Sequence, residues 1–331
     1  MPRKSHVERL LELVEREPGI TITEAANKLG LAKSTVSELS RILEEEKSIE
    51  RRRRGPLVEL YPLPRVREEE RGRSVRIGII RAAEYIYVPV VVKKLSQHGY
   101  RVEVLVYDNG LQATRDLVVG KLDLVFTPLI TQLFYYALTE SIEIVPLGAI
   151  GGAKVLENPR GEEGVATTKV STMELCLNLV EIPEKEKVEY MGSGQQILEK
   201  LVRGETKYAV VWEPYASRAE KRGARVVASC RELGLQHCCT PALARGVVEE
   251  KREVVRVVEE AVREVARGKR VGLEWYSQIT EIPLEQLKKT IKNYTYTDYL
   301  ETTSVEKTLK KAGLRIPVPA IYRQALVEDY K

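Results

Sequence analysis

From residue 75 to residue 212, short apolar runs alternate with amphipathic stretches of helical length. That alternation restricts this part of the chain to an α/β architecture, with helices packed on a mainly parallel sheet. Residues 75–80, 102–107, 122–127 and 142–147 predict strands, and 85–98, 111–119 and 129–138 predict the helices between them. Repeated β–α units imply parallel pairing through right-handed crossovers. A second series follows, with strands predicted at 164–168, 188–191 and 208–212 and helices opening at Ser171-Thr172 and running over 195–203. Two series in succession predict two lobes with a ligand cleft between them. Ligands of such sheets bind beyond the carboxyl ends of the strands, beside helix N-termini.

Residues 1–61 follow a different pattern. Val7, Leu10, Leu11 and Val14 share one helical face, and Pro18-Gly19 ends that segment. Thr21-Ile22-Thr23-Glu24 fits a capping box, and Ala25, Ala26 and Leu29 face inward in the short helix that Gly30 stops. A third helix puts Val36, Leu39, Ile42 and Leu43 inward and shows Lys33, Ser34, Thr35 and Ser37 on its other face. Two short strands around Arg51-Arg52-Arg53-Arg54-Gly55-Pro56 complete a wing. Small hydroxyl and basic side chains at the start of a recognition helix suit base edges and phosphates. Wing arginines suit a phosphate backbone or a minor groove. The segment holds 12 basic and 11 acidic residues, so clustering rather than net charge would attract DNA. A winged helix used for protein contacts, with its arginines solvated, is the alternative.

The stretch Leu31-Ala-Lys-Ser-Thr-Val-Ser-Glu-Leu-Ser-Arg-Ile-Leu43 resembles the winged helix-turn-helix regulators. Those regulators usually have a capping residue such as Ser where this chain has Ala32. The resemblance implies double-stranded DNA as a partner, with Lys33, Ser34, Thr35, Ser37, Arg51, Arg52, Arg53 and Arg54 as contacts. Residues 62–74, rich in Pro and charge, read as a linker.

Farther along, Val210-Val-Trp-Glu-Pro-Tyr-Ala-Ser-Arg-Ala219, Ala166-Thr-Thr-Lys-Val-Ser-Thr172 and Gly120-Lys-Leu-Asp-Leu-Val-Phe-Thr-Pro128 resemble the nitrate-, sulfonate- and taurine-type substrate-binding proteins. The likeness spans nearly all of residues 75–331, including the stretch 310–317. It implies a type II periplasmic-binding-protein-like α/β fold, with lobe 1 at about 75–158 and 240–331 and lobe 2 at about 163–237. Crossovers are expected near 157–163 and 229–240. A DNA-binding head on such a body resembles one-component regulators, analogous to the LysR type but without their long linker helix. By the same resemblance the ligand meets Arg81, Tyr85, Thr127, Thr168, Ser171, Thr172, Trp212 and Glu213. These types favour an organic anion or zwitterion: hydroxyls at a helix start bind oxygens, Arg81 supplies a fork, and aromatic rings stack. Five of these residues also have a structural reading. Ser171-Thr172 is a helix cap, Arg81 a surface partner for Glu84, Trp212 a core residue, and Glu213-Pro214 a turn.

Composition narrows the classes further. The net charge of +5 excludes a globally basic nucleic-acid coat. The longest apolar run, about eight residues at 85–92, is well short of a membrane span. The acidic residues within the N-terminal apolar pattern are unlike a secretory signal, and a cytoplasmic protein is expected. Four cysteines are too few for a disulfide scaffold. His237-Cys238-Cys239 offers metal or thiol chemistry or, on the plainer reading, core packing. Nucleotide-loop and nucleophile-elbow motifs are missing, and Gly192-Ser193-Gly194 has the wrong spacing for the latter, so neither enzyme nor cofactor is expected. The combined expectation is a ligand-responsive transcriptional regulator, a homodimer or higher homo-oligomer on a pseudo-palindrome, sensing a sulfonate-like anion. A thiamine- or pyrimidine-precursor regulator and a thiol or metal sensor are the alternatives.

Overall fold

Local capping decides where the first helices begin. In the computed structural model, α1 (His6–Arg16) starts at a capping box, in which the Ser5 hydroxyl accepts from the Glu8 amide and the Glu8 carboxylate accepts from the Ser5 amide. Residues 5–46, 48–63, 73–183, 185–235, 237–313 and 321–327 are described. After β1 (Ile20–Thr21), a second capping box between Thr21 and Glu24 opens α2 (Ile22–Leu29), and Gly30 closes it at φ 68°. Helix α3 (Lys33–Glu45) starts at Ala32 without a side-chain cap. Strands β2 (Ile49–Arg54) and β3 (Leu57–Pro62) form the wing, and β1 adds to β3 in an antiparallel sheet. Leu10, Val14, Val36, Leu39, Ile42, Leu43 and Leu60 fill this small core. Of the predicted linker, residues 64–72 lie outside the described residues, and Ser74 already belongs to a strand.

The first lobe opens with β4 (Ser74–Ile80), α4 (Val88–Gln97), β5 (Arg101–Tyr107), α5 (Gly110–Val118), β6 (Leu124–Pro128) and α6 (Leu129–Thr139). Strand β4 pairs in parallel with both β5 and β6, as β–α units require. Strands β7 (Ile142–Ile144) and β8 (Gly148–Gly151) follow, and the chain then changes sheets. The second lobe carries β9 (Ala153–Glu157), β10 (Val165–Thr167), α7 (Thr172–Leu179), β11 (Val188–Tyr190), α8 (Gly194–Arg203), β12 (Tyr208–Trp212), α9 (Tyr215–Glu220) and β13 (Arg225–Ser229). Its strand order is β11-β10-β12-β9-β13. The chain returns to the first sheet with β14 (Cys239–Ala244), antiparallel to β6. Helices α10 (Arg245–Glu250), α11 (Arg252–Ala266), α12 (Leu273–Thr280) and α13 (Leu284–Thr290) then lead to β15 (Tyr294–Thr297), which pairs with β8. Helices α14 (Thr302–Lys311) and α15 (Ile321–Ala325) close the described chain.

The first change of sheet falls at Gly151-Gly152, not at 157–163 as expected, because β9 pairs with β12 and β13 of the second lobe. Gly152 has φ 73°, and a Cβ there would sit 2.0 Å from ring carbons of Tyr294, so the crossing is built on a residue without a side chain. A disulfide joins Cys176 of α7 to Cys230 just after β13, within the second lobe. No helix among the described residues is long and apolar enough to cross a membrane.

The head rests on the first lobe. Helix α6 packs against α1 and α3. Arg115 of α5 pairs with Glu45 at the end of α3. The His6 ring reaches the Leu138 carbonyl at 3.3 Å and the Glu140 carboxylate at 3.6 Å. Burial pushes the Tyr135 hydroxyl of α6 up to about 12; Arg115 opposes the shift and Glu38 and Glu45 of α3 add to it.

Candidate functional site

A cavity of about 250 Å³ lies between the lobes. Strand ends form it. Ile80 ends β4, Pro128 ends β6, and Asn109 and Gly110 start the helix after β5. From the second lobe come Thr168, Lys169 and Ser171 after β10, Tyr190 to Gly192 at the end of β11, and Trp212 at the end of β12. All of these strands are parallel to a neighbour, so their carboxyl ends open to one side, where ligands of α/β sheets bind. Strand β14 runs the other way, so its first residues, with Cys238 and Cys239, reach the same place.

The wall is mostly apolar, with Met173, Met191 and Trp212 on the second-lobe side. Trp212 meets Tyr215 edge to face at 5.6 Å, and its indole N–H donates to the Arg81 carbonyl at 3.1 Å. Lys169 is exposed at the rim, its ammonium 5.9 Å from the Tyr190 ring centroid. Ser171 caps α7 by accepting from the Glu174 amide, and its hydroxyl lies 2.8 Å from that of Thr168. Across the rim, the Asn109 side-chain amide donates to the Gly192 carbonyl at 2.8 Å and ties the lobes together. Glu84 is buried at 2% exposure in the wall beside Cys238 and Cys239. Burial pushes the Glu84 carboxyl up and holds the Cys239 thiol well above its usual range.

Of the ligand residues expected from sequence, Thr168, Ser171 and Trp212 line this cavity. Five others lie elsewhere. Arg81 turns to the Thr280 carbonyl and the Glu281 carboxylate, at 2.7 and 2.6 Å, rather than to Glu84. Tyr85 is fully buried behind the wall and donates to the Cys239 sulfur at 3.2 Å. Thr127 is sealed between Thr114 and Gln132. Thr172 faces the Cys238 carbonyl at 3.3 Å and a separate small pocket that also holds His237. Glu213 has no exposed surface; it accepts from Ser217 and Asn293 and lies 3.7 Å from the Lys154 ammonium, a structural knot under the cleft. Sequence reasoning missed Glu84, Asn109, Lys169, Met173, Tyr190 and Met191. Both ring nitrogens of His237 are buried without a hydrogen-bond partner among the described residues, and the ring lines the small pocket that Cys238 also borders.

On the head, Lys33 and Ser34 are exposed at the start of α3, and Thr35 and Ser37 are half-buried. Arg51 is held to Glu44 at 3.6 Å with only 17% of its side chain exposed. Arg52, Arg53 and Arg54 project from the wing; Arg52 pairs with Glu50 at 2.7 Å and stacks 4.6 Å over Tyr61.

Several solved structures share the fold of the body. The alkanesulfonate-binding protein SsuA from Xanthomonas axonopodis pv. citri, bound to MOPS, is 16% identical, covers 77% of this chain and 98% of its own, and gives a TM-score of 0.63. The periplasmic nitrate-binding protein NrtA from Synechocystis PCC 6803 is 14% identical, with 78% and 87% covered and a TM-score of 0.62. The periplasmic aliphatic sulphonate binding protein SsuA from Escherichia coli is 17% identical, with 78% and 92% covered and a TM-score of 0.59. No curated protein sequence matches the chain significantly. The family model of the IclR helix-turn-helix domain matches residues 8–53, so the chain joins an IclR-type DNA-binding head to a body with the fold of solute-binding proteins.

Proposed function

We propose that the protein is a ligand-responsive transcriptional regulator in which an organic anion, of sulfonate-like class, binds between the lobes and shifts the DNA-binding head. The observation that carries this reading is the course of α5 and α6. Both helices begin at the cavity, at Gly110 and after Pro128, and both touch the second lobe near their starts. Asn109 reaches the Gly192 carbonyl, and the Thr131 hydroxyl donates to the Val170 carbonyl at 2.6 Å. Farther along they hold the head, through Arg115 on Glu45 and through Leu138 and Glu140 around His6. A ligand that changes the lobe spacing therefore moves the supports of α1 and α3.

Lys169 with the Thr168 and Ser171 hydroxyls suits the anionic end of such a ligand, and Trp212, Met173 and Met191 suit its apolar body. Lys33, Ser34, Thr35 and Ser37 face the major groove and the wing arginines the phosphates, with a homodimer on a pseudo-palindrome. A second reading, a pyrimidine-type thiamine precursor, is favoured by the Trp212 and Tyr190 rings together with the Glu84 carboxyl and the Asn109 amide.

The test is a titration of intrinsic fluorescence with sulfonates, nitrate and thiamine precursors, followed by DNA binding with and without the responsive compound. The expected result is a saturable Trp212 response weakened in Lys169→Ala, and a change in affinity for a selected duplex within the usual allosteric range of about 5–150-fold. Absence of sequence-selective DNA binding, or equal affinity with and without saturating ligand, overturns the reading.

A further inference from the structure

The cavity wall contains a group that the sulfonate reading leaves unused. Cys238 Sγ lies 3.5 Å from Cys239 Sγ and 3.5 Å from a Glu84 carboxylate oxygen. The three potential ligand atoms all fall within 4.8 Å of one another, and all three residues are buried and line the cavity. Glu84 makes no ion pair among the described residues. The groups close to this buried carboxyl are the two thiols and the Tyr85 hydroxyl, all neutral, and burying a carboxylate is costly without a cation beside it.

We propose that Glu84, Cys238 and Cys239 form a binding site for one thiophilic divalent cation of the Zn²⁺ type, with its fourth coordination position open to the cavity. The spacing fits the chemistry. With metal–sulfur bonds of about 2.3 Å and metal–oxygen bonds of about 2.0 Å, a tetrahedron has a sulfur–sulfur edge of about 3.8 Å and a sulfur–oxygen edge of about 3.5 Å. The Cys238–Cys239 and Cys238–Glu84 edges, 3.5 Å each, need a shift of a few tenths of an ångström at most. The Tyr85 hydroxyl, donating to Cys239 Sγ at 3.2 Å, supplies the outer hydrogen bond that orients a metal ligand. His237 takes no part, since its ring nitrogens do not belong to the group of ligand atoms that lie within 4.8 Å of one another.

Three elements supply the ligands: the loop after β4 gives Glu84, the return crossover gives Cys238, and β14 gives Cys239. Two thiolates and a carboxylate leave one net negative charge around a divalent ion. A water or a neutral donor atom of the cavity ligand therefore suits the fourth position, while an anionic end belongs at Lys169 across the cavity. Metal binding at this wall does not depend on whether the head binds DNA, so the two proposals stand or fall separately.

The test is a titration of the full chain with Co²⁺ alone under a non-thiol reductant, followed by absorption. The expected result is one equivalent of Co²⁺ bound, with a thiolate-to-cobalt charge-transfer band and visible bands of tetrahedral intensity, displaced by Zn²⁺. The double variant Cys238→Ser with Cys239→Ser loses the charge-transfer band, whereas Cys176→Ser with Cys230→Ser keeps it. Glu84→Gln retains both thiolates and binds about tenfold or more weakly. A folded wild-type chain without the band overturns the site, as does a band that survives in the Cys238/Cys239 variant. Unchanged affinity in Glu84→Gln overturns the role of the carboxylate. Far-ultraviolet circular dichroism checks folding, and the wild-type titration decides the question even where a variant fails to fold.

Discussion

Replacing Arg52, Arg53 and Arg54 together with Gln tests how the wing meets DNA, and the structure fixes how many charges to count. Sequence alone offers four arginines, but Arg51 is largely covered and bound to Glu44 of α3, so it braces the hairpin against the head. The other three are exposed. Arg52 and Arg54 pair with Glu50 and Glu59, at 2.7 and 3.6 Å, but exposed pairs are worth about 0–1 kcal/mol and yield to a phosphate. Each phosphate contact adds about 0.9 to the slope of log affinity against log salt, so three contacts add about 2.7. Over a fourfold rise in salt the wild type should then lose about 40-fold more affinity than the triple variant. Fluorescence anisotropy on a labelled duplex at several KCl concentrations measures both slopes. An Arg→Lys triple variant, which keeps the charges, should keep most of the slope. Equal slopes for wild type and the Gln variant, with the head still folded, would refute the reasoning and take the wing off the phosphates.

Other expectations follow from single residues. Ala32→Ser gives α3 the cap it lacks and should stabilise the head by about 1 kcal/mol, read as a higher urea midpoint. His237 is buried without a hydrogen-bond partner among the described residues, and burial pushes its imidazole down to about 4. The unfolded chain therefore takes up that proton first as pH falls below about 6.5, and stability is lost down to about pH 4, by about 3 kcal/mol in full. His237→Leu should flatten this window in urea melts at about pH 7.5 and about pH 4.5; parallel losses in both proteins would assign the effect to other groups. Glu45→Gln removes the pairing with Arg115, worth about 0.5–1 kcal/mol, and should speed amide exchange at the end of α3 and in α6 by about twofold to fivefold. Unchanged exchange there would mean that apolar packing alone seats the head.

Sequence made the local parts of the fold readable. The helices of the head carry amphipathic periodicity and capping boxes, both of which act within a few residues. Strand β12 was likewise plain, as five buried residues between turn signals. Strands β8, β9, β13, β14 and β15 were not, because they lie outside the local strand–helix alternation and find partners far along the chain. The crossing at Gly152 depends on Tyr294, some hundred and forty residues later, and no local pattern announces that. At the site, the strand ends were the right places to look, but neighbouring residues there point in opposite directions. Trp212 faces the cavity while Glu213 turns beneath it, and Pro128 lines it while Thr127 is sealed. In sequence Glu84 reads only as a partner for Arg81, whereas Arg81 meets Glu281, about two hundred residues away. Lys169 had a local cue, since it sits between Thr168 and Ser171 in the very segment expected at the cleft.

The contacts between head and body are of the strength a switch needs. Arg115 with Glu45 and His6 with Glu140 are partly exposed pairs, each contributing no more than about 1 kcal/mol. Tyr135, nearly buried where α6 meets the head, adds apolar contact. A ligand can move an equilibrium only by its difference in affinity for the two arrangements. Taking a population from almost all one arrangement to almost all the other requires about 5.5 kcal/mol of that difference, beyond the coupling of about 1–3 kcal/mol usual between sites. A head clamped by many buried contacts would lie outside that range. Here the supports start at the cavity, where Asn109 and Thr131 already bridge to the second lobe, and end on weak polar contacts with α1 and α3. On the proposed reading the two helices are the stiff part of the path and the seat of the head is the part that yields, so lobe movement would displace the DNA-binding surface rather than deform the body.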